Sequence, residues 1–184
     1  MFVSTNPNGS SLCLACGLCC NGALHAHTIV KPNEIDTVRA LGLTIETHGD
    51  QLFFRQPCPL YREQRCSAYP NHPPTCRAYQ CALLKKYHAG EITFEQSEKI
   101  VQRAQELYVD VLEQLPNDYS FDQLKKEMAQ DGDFGSGLFG SPELRQANAE
   151  FLLTVAKLTM FLRKHFEKPK KGGGDAESVK NHVH

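Results

Sequence analysis

All eight cysteines of the chain lie between Cys13 and Cys81, and the remaining sequence has none. They form two groups: Cys13, Cys16, Cys19 and Cys20, then Cys58, Cys66, Cys76 and Cys81. The segment 56–81 carries the second group together with five prolines, and it shows little periodicity. An irregular stretch of that length inside a compact domain needs something to order it. A metal bound by the cysteines would supply that order.

The spacing has a chemical reading. Two residues between cysteines let the chain turn so that both sulfurs face one metal, while backbone N–H groups in the turn soften the thiolate charge. Gly17 permits a positive φ inside this turn. Three cysteines at successive x2 spacings resemble the opening of a ferredoxin-type run, whose fourth cysteine comes later and precedes a proline. Here it is Cys58 that precedes a proline, Pro59. Cys19 and Cys20 are adjacent, and adjacent side chains diverge, so at most one of them enters any mononuclear site. The pair therefore favours a polynuclear cluster or two neighbouring sites, and Cys20 alone could also be a buried apolar thiol. Four-thiolate sites suit zinc and iron–sulfur clusters alike. The spacings differ from the C-x3-C-x2-C triplet of radical enzymes that use S-adenosylmethionine. A structural thiolate site contributes roughly 10–16 kcal/mol of apparent binding energy, as much as the whole net stability of a domain, about 5–15 kcal/mol. The first half is expected not to hold its fold without metal.

Redox compartment decides between metal and disulfides. The sequence MFVSTNPNGSS has no basic segment followed by an apolar one, so no secretory signal is read there, and no window is long and apolar enough to span a membrane. A cytoplasmic protein with reduced thiols is the expectation; export would instead allow four disulfides. The net charge of -1 gives the molecule no overall attraction to nucleic acid or an anionic membrane. Residues 1–90 hold 8 Lys/Arg against 5 Asp/Glu, and residues 91–184 hold 12 against 16, so the cysteine-bearing half is the basic one.

Along the chain, residues 1–11 read as a disordered polar N-terminus, 12–90 as the metal-binding domain, 91–167 as a helical region and 168–184 as a disordered tail. Within 12–90, Ala23–Val30 reads as a strand with His25, His27 and Ile29 on one face. Asn33 would cap a helix over about 34–41, ended by Gly42. A hairpin follows, Leu43–Thr47 and Gln51–Arg55 about a His48-Gly49-Asp50 turn. In the second half, Thr93 and Gln96 form a capping box ahead of a helical stripe of Ile100, Ala104, Leu107, Tyr108, Val111, Leu112 and Leu115, stopped by Pro116. Ser120 with Gln123 opens a second helix carrying Phe121, Leu124 and Met128. Ser141-Pro142 opens a third, with the stripe Leu144, Ala147, Phe151, Val155, Leu158 and Leu162. The fold class is α+β: a small irregular cysteine-rich metal domain with short strands, plus a C-terminal helical bundle.

On these residues the chain resembles the zinc- or iron-chelating domain proteins named for a CxxCxxCC motif. The resemblance rests on Cys13-Leu-Ala-Cys16-Gly17-Leu-Cys19-Cys20-Asn-Gly22, Cys58-Pro59-Leu60, Cys66-Ser-Ala-Tyr69, Pro73-Pro-Thr-Cys76-Arg77 and Cys81, and covers about residues 12–88. It implies that all eight cysteines serve a metal, as an iron–sulfur cluster or Zn2+. The residue before Pro73, usually Arg in the family, is His72 here, which could offset thiolate charge only when protonated or hydrogen-bonded. Some relatives, in longer chains, are linked to lysine N-methylation of flagellin.

Other groupings are weaker. His25 and His27 could complete a metal site or be polar positions on a half-exposed strand. His48 falls in a turn and His88 at a helix end. His182 and His184 lie in the tail, where they could take up metal adventitiously. Gly135-Ser-Gly137-Leu-Phe-Gly140 matches G-x-G-x-x-G but lacks the strand that dinucleotide binding requires before it; a glycine loop joining two helices is the plainer reading. Arg62, Arg65 and Arg77, interleaved with Tyr61, Tyr69 and Tyr79, could contact nucleic acid or balance a metal–thiolate centre and pack its walls, and the neutral total charge favours the second. The expected function is a metal-binding protein with an electron-transfer role if the centre is an iron–sulfur cluster. The alternatives are a protein-lysine N-methylase-like enzyme and a structural zinc module that presents the helical half to a protein partner.

Overall fold

The computed structural model describes residues 9–129 and 137–167. The sequence expectations for 1–8 and for the tail from 168 lie outside the described residues. The fold is α+β, as expected, with short antiparallel strands and several helices.

The first element described is helix α1 (Gly9–Cys16). Residues 9–11 are therefore helical rather than part of a disordered N-terminus. Leu12 on α1 is buried, which gives this short helix a tertiary anchor. After the cysteine turn, β1 (His27–Val30) pairs antiparallel with β3 (Gln51–Arg55), and β3 pairs with β2 (Glu46–His48), giving the order β1-β3-β2. Strand β1 is shorter than the sequence expectation because residues 19–24 are spent on turns. Val30 and Phe54 point to one face and, with Val38 and Leu43, form a small core; Ile29 on the opposite face is half exposed. Helix α2 (Ile35–Ala40) covers that core, entered through a 3-10 turn at Pro32–Glu34. Asn33 lies inside that turn and is not the cap expected of it. Gly42 ends the segment at φ +76, as the sequence predicts.

Residues 61–66 form a two-strand ribbon, β4 (Tyr61–Arg62) and β5 (Arg65–Cys66). Two short helices follow, α3 (Pro74–Ala78) and α4 (Ala82–His88).

The second half is helical. The capping box at Thr93 and Gln96 is formed in both directions, at 3.1 and 2.8 Å, and opens α5 (Phe94–Gln114). Its buried stripe is Ser97, Val101, Ala104, Leu107 and Val111; Leu112, expected on it, is 40% exposed. Helix α6 (Phe121–Ala129) starts at Ser120, whose Oγ accepts from Gln123 N at 3.2 Å. The third expected helix is two: α7 (Pro142–Ala147), N-capped by Ser141, and α8 (Ala149–His165), with the break at Asn148. Phe151, Val155, Leu158 and Leu162 are buried, while Leu144 is on the exposed side of α7.

One apolar core joins both halves. Leu12, Leu18, Leu83 and Leu84 from the cysteine-bearing segment pack with Val101, Leu107, Phe151 and Leu158. The small sheet core is separate.

Candidate metal centre

Helix α1 presents Cys13 and Cys16 three residues apart, hence on one face. The helix ends at Gly17, which takes φ +63, the kind of conformation that a glycine in this turn permits. A Cβ there would collide with the Tyr61 ring, so the glycine serves both the turn and a close approach. The amides of Cys20 and Asn21 both return to the Gly17 carbonyl at 2.9 Å, closing the turn that carries Cys19 and Cys20.

The later cysteines arrive from four different places in the fold. Cys58 N donates to Cys20 O at 2.7 Å, tying the second group to the first through backbone. Tyr61 N donates to Cys58 O at 2.9 Å, and Tyr61 faces Cys66 across the ribbon. Cys76 sits in α3. Cys81 is the N-cap of α4, its Sγ accepting from Leu84 N at 3.4 Å. All eight side chains line one cavity of about 740 Å³, and all eight are free thiols, so the disulfide alternative is not realised.

The helical half fastens this segment. Gln105 Nε2 on α5 donates to Ala15 O at 2.8 Å and Cys16 O at 3.0 Å, satisfying carbonyls at the end of α1 that have no partner within it. Tyr108 Oη donates to Asn21 O at 3.2 Å, and Lys125 Nζ on α6 donates to Gly22 O at 3.0 Å. None of these three roles leaves a trace in the local sequence, because each is a single polar residue on an amphipathic helix.

Residues 12–106 match the family described as "CxxCxxCC: Putative zinc- or iron-chelating domain". The chain belongs to this family. The match takes in all eight cysteines and runs into α5, so the CxxCxxCC region includes Gln105 but stops short of Tyr108 and Lys125. No curated protein and no solved structure matches the chain.

Burial dominates the electrostatics of the CxxCxxCC thiols. It pushes Cys16, Cys20 and Cys76 up to about 12, with neighbouring cysteines adding to the shift. Cys13 sits at the surface, yet the surrounding protein still raises its thiol to about 11, with Cys81 adding. Cys19 is raised as well, by burial and then by Cys16 and Cys81. Cys58 and Cys81 are raised by burial and partly offset by backbone N–H groups, those of Leu60 and Tyr61 for Cys58 and those of Leu84 and Leu83 for Cys81. In a metal-free chain these thiols are therefore neutral at pH 7. A cation that replaces their protons relieves the cost of gathering sulfur anions in an apolar site. The donor set fits a thiophilic ion: eight sulfurs, no disulfide, and a buried His25 Nε2 in the same wall with no hydrogen-bond partner.

The thiols are nonetheless spread out. Among the described residues, no three His, Cys, Asp or Glu side chains converge closely enough to hold a single ion.

The remaining candidates separate clearly. Tyr61, Tyr69 and Tyr79 line the cavity, whereas Arg62, Arg65 and Arg77 do not. The arginines therefore do not build the walls, as one sequence reading had them do. His72 lines the cavity, stacks on Tyr69 at 4.5 Å and shares a hydrogen bond with Pro70 O at 3.1 Å; burial lowers its pKa, so it meets the site as a hydrogen-bonded neutral ring. His25 packs edge-on against Tyr79 and is also lowered by burial. It precedes β1 rather than sharing its face with His27, which is exposed beside Phe53. His48 is exposed in β2, and His88 ends α4 as expected. His182, His184 and Gly135 lie outside the described residues. In the rest of the glycine motif, Leu138 N and Phe139 N donate to the buried Glu127 carboxylate at 3.1 and 2.6 Å, and a Cβ on Gly137 would collide with that same carboxylate. Those two amides already bond a side-chain carboxyl, so this part of the motif serves as a structural clip and offers them to no phosphate. Glu34, buried beside Cys76, is a neighbour of the centre that the sequence did not single out.

Proposed function

We propose that this CxxCxxCC protein is an iron–sulfur protein whose eight cysteines are the ligands, with electron transfer as its role. The observation that carries the reading is the convergence of all eight free thiols, from two distant stretches of sequence, on one cavity. Two features favour clusters over lone zinc ions. A single zinc draws its four sulfurs to about 2.3 Å, whereas the thiols here are not gathered around one point. A cluster binds each thiolate to a different iron and so holds the sulfurs farther apart. The cavity of about 740 Å³ is also large for bare ions. When bound, the cluster supplies one-electron chemistry at a potential set by its hydrogen bonds and burial. The chain's own residues shape that setting: Tyr61, Tyr69 and Tyr79 line the cavity, and backbone N–H groups of Leu60, Leu83 and Leu84 point at cysteine sulfurs.

The structural-zinc reading keeps the same ligands. It draws on the helical half, where α8 leaves Leu153 and Met160 61% and 71% exposed, as a surface for a protein partner would. The methylase-like reading gains no support from the described part of the G-x-G-x-x-G segment, whose Leu138 and Phe139 amides are taken by Glu127.

Purification of the full chain under nitrogen, followed by metal and sulfide analysis, tests the proposal. A brown protein with iron and acid-labile sulfide in equal amounts is expected. A colourless protein with stoichiometric zinc and no sulfide would replace the iron–sulfur reading with the structural one.

A further inference from the structure

The eight thiols do not all belong to one centre. We propose that they divide into two four-thiolate centres, one held by Cys13, Cys16, Cys19 and Cys81 and the other by Cys20, Cys58, Cys66 and Cys76. The Cys19–Cys20 peptide bond joins the two. The inference rests on the metal-binding reading above and adds the assignment of ligands to centres.

Packing divides the cysteines first. Cys16 and Cys81 pack against the large helical core, whereas Cys58 and Cys76 pack against the small sheet core of Val30, Val38, Leu43 and Phe54. Backbone geometry sorts Cys13, Cys20 and Cys66. Cys13 shares a helix face with Cys16, and α1 lies against α4, whose N-cap is Cys81. Cys20 is held to Cys58 by the 2.7 Å Cys58 N to Cys20 O bond, and the ribbon that starts three residues after Cys58 returns Cys66 opposite Tyr61.

The grouping also resolves the adjacency of Cys19 and Cys20. Neighbouring side chains point apart, so each serves a different centre. The first centre then takes three cysteines from an x2-spaced run and a fourth from a remote position. Two-cluster ferredoxins distribute ligands in the same way, with the fourth cysteine of a run serving the other cluster.

The test uses the full chain, purified without air, and two variants, Cys81→Ser and Cys76→Ser. Two four-iron, four-sulfide clusters correspond to about eight iron and eight sulfide per chain; zinc loading would instead give two ions. Each variant is expected to lose half the metal and keep the other half. Equal and complete loss in both folded variants would show a single joint centre and overturn the division. Should either variant fail to fold, the wild type still decides. Reduced with dithionite, it should show the magnetic coupling of two neighbouring clusters; in the zinc case its content alone is read. A lone uncoupled signal, or one zinc per chain, overturns the division while leaving the metal-binding reading intact. A wild type with neither iron nor zinc overturns both.

Discussion

Gly17 is the residue at which sequence and structure agree most closely. A glycine between Cys16 and Cys19 permits a positive φ, and φ is +63. What the sequence could not show is its second constraint, the ring of Tyr61, which comes from a distant part of the chain. An alanine there carries the left-handed backbone cost of about 1–2 kcal/mol and must also displace Tyr61 from the cavity wall. Gly17→Ala is expected to lower the thermal midpoint and to weaken metal retention against a chelator, both read on air-protected protein. Unchanged metal retention would show that the centre does not depend on this approach. His72 teaches the converse. Its identity was visible in the sequence, but its neutrality follows from burial, which outweighs the opposing effect of its bond to Pro70 O, and only the fold supplies both.

Among the elements, those with local signals were legible. The capping boxes at Thr93 and Ser120, the N-cap at Ser141 and the stripe on α5 appear where side-chain chemistry marks them. The elements that escaped are short: α1, α3 and the β4–β5 ribbon. Each owes its order to partners far away in sequence, as α1 does to Gln105 and Leu84. Periodicity cannot mark a helix of five or eight residues. The break at Asn148 was missed because the apolar spacing continues across it, while its side-chain amide donates to Leu138 O at 3.1 Å and Leu144 O at 2.9 Å. Two predictions belong here. Gln105→Ala removes the partner of two α1 carbonyls and should cost about 1–2 kcal/mol, with faster metal loss to chelator; chemical denaturation and a chelator time course measure the two effects. In the ribbon turn, Glu63 and Gln64 both hold positive φ, at 49° and 61°. The double substitution Glu63→Asn with Gln64→Gly suits a turn of this kind and should raise stability by about 1 kcal/mol, measured by urea unfolding of the metal-loaded chain. A loss of stability would show that the native side chains make contacts that outweigh the strain.

Across the whole molecule, the two halves distinguished by composition act as one body around the thiols. The division at residue 90 follows a real change in sequence character, but Leu12, Leu83 and Leu84 share a core with Val101 and Phe151. We propose that 12–90 supplies the ligands and 91–167 supplies their support, so neither half is expected to fold alone. The pH response follows from the raised thiols. Cys13 sits at about 11 and Cys16, Cys20 and Cys76 at about 12, against an ordinary value of 9.0. A folded-state pKa above the unfolded one gives stability that is complete below about pH 9 and lost as pH climbs toward about 12. The structure that survives metal removal, already less than that of the loaded chain, should therefore be lost across that window. The loaded chain, its sulfurs already deprotonated, should resist in that range and instead lose metal in acid, where protons compete for the thiolates. Circular dichroism along the two titrations would distinguish these responses. The central claim meets its most direct test in the iron, zinc and acid-labile sulfide content of native protein kept from air. The account predicts iron and sulfide in equal amounts at stoichiometric levels; a chain that contains neither iron nor zinc and yet keeps an unchanged native circular dichroism spectrum would contradict it.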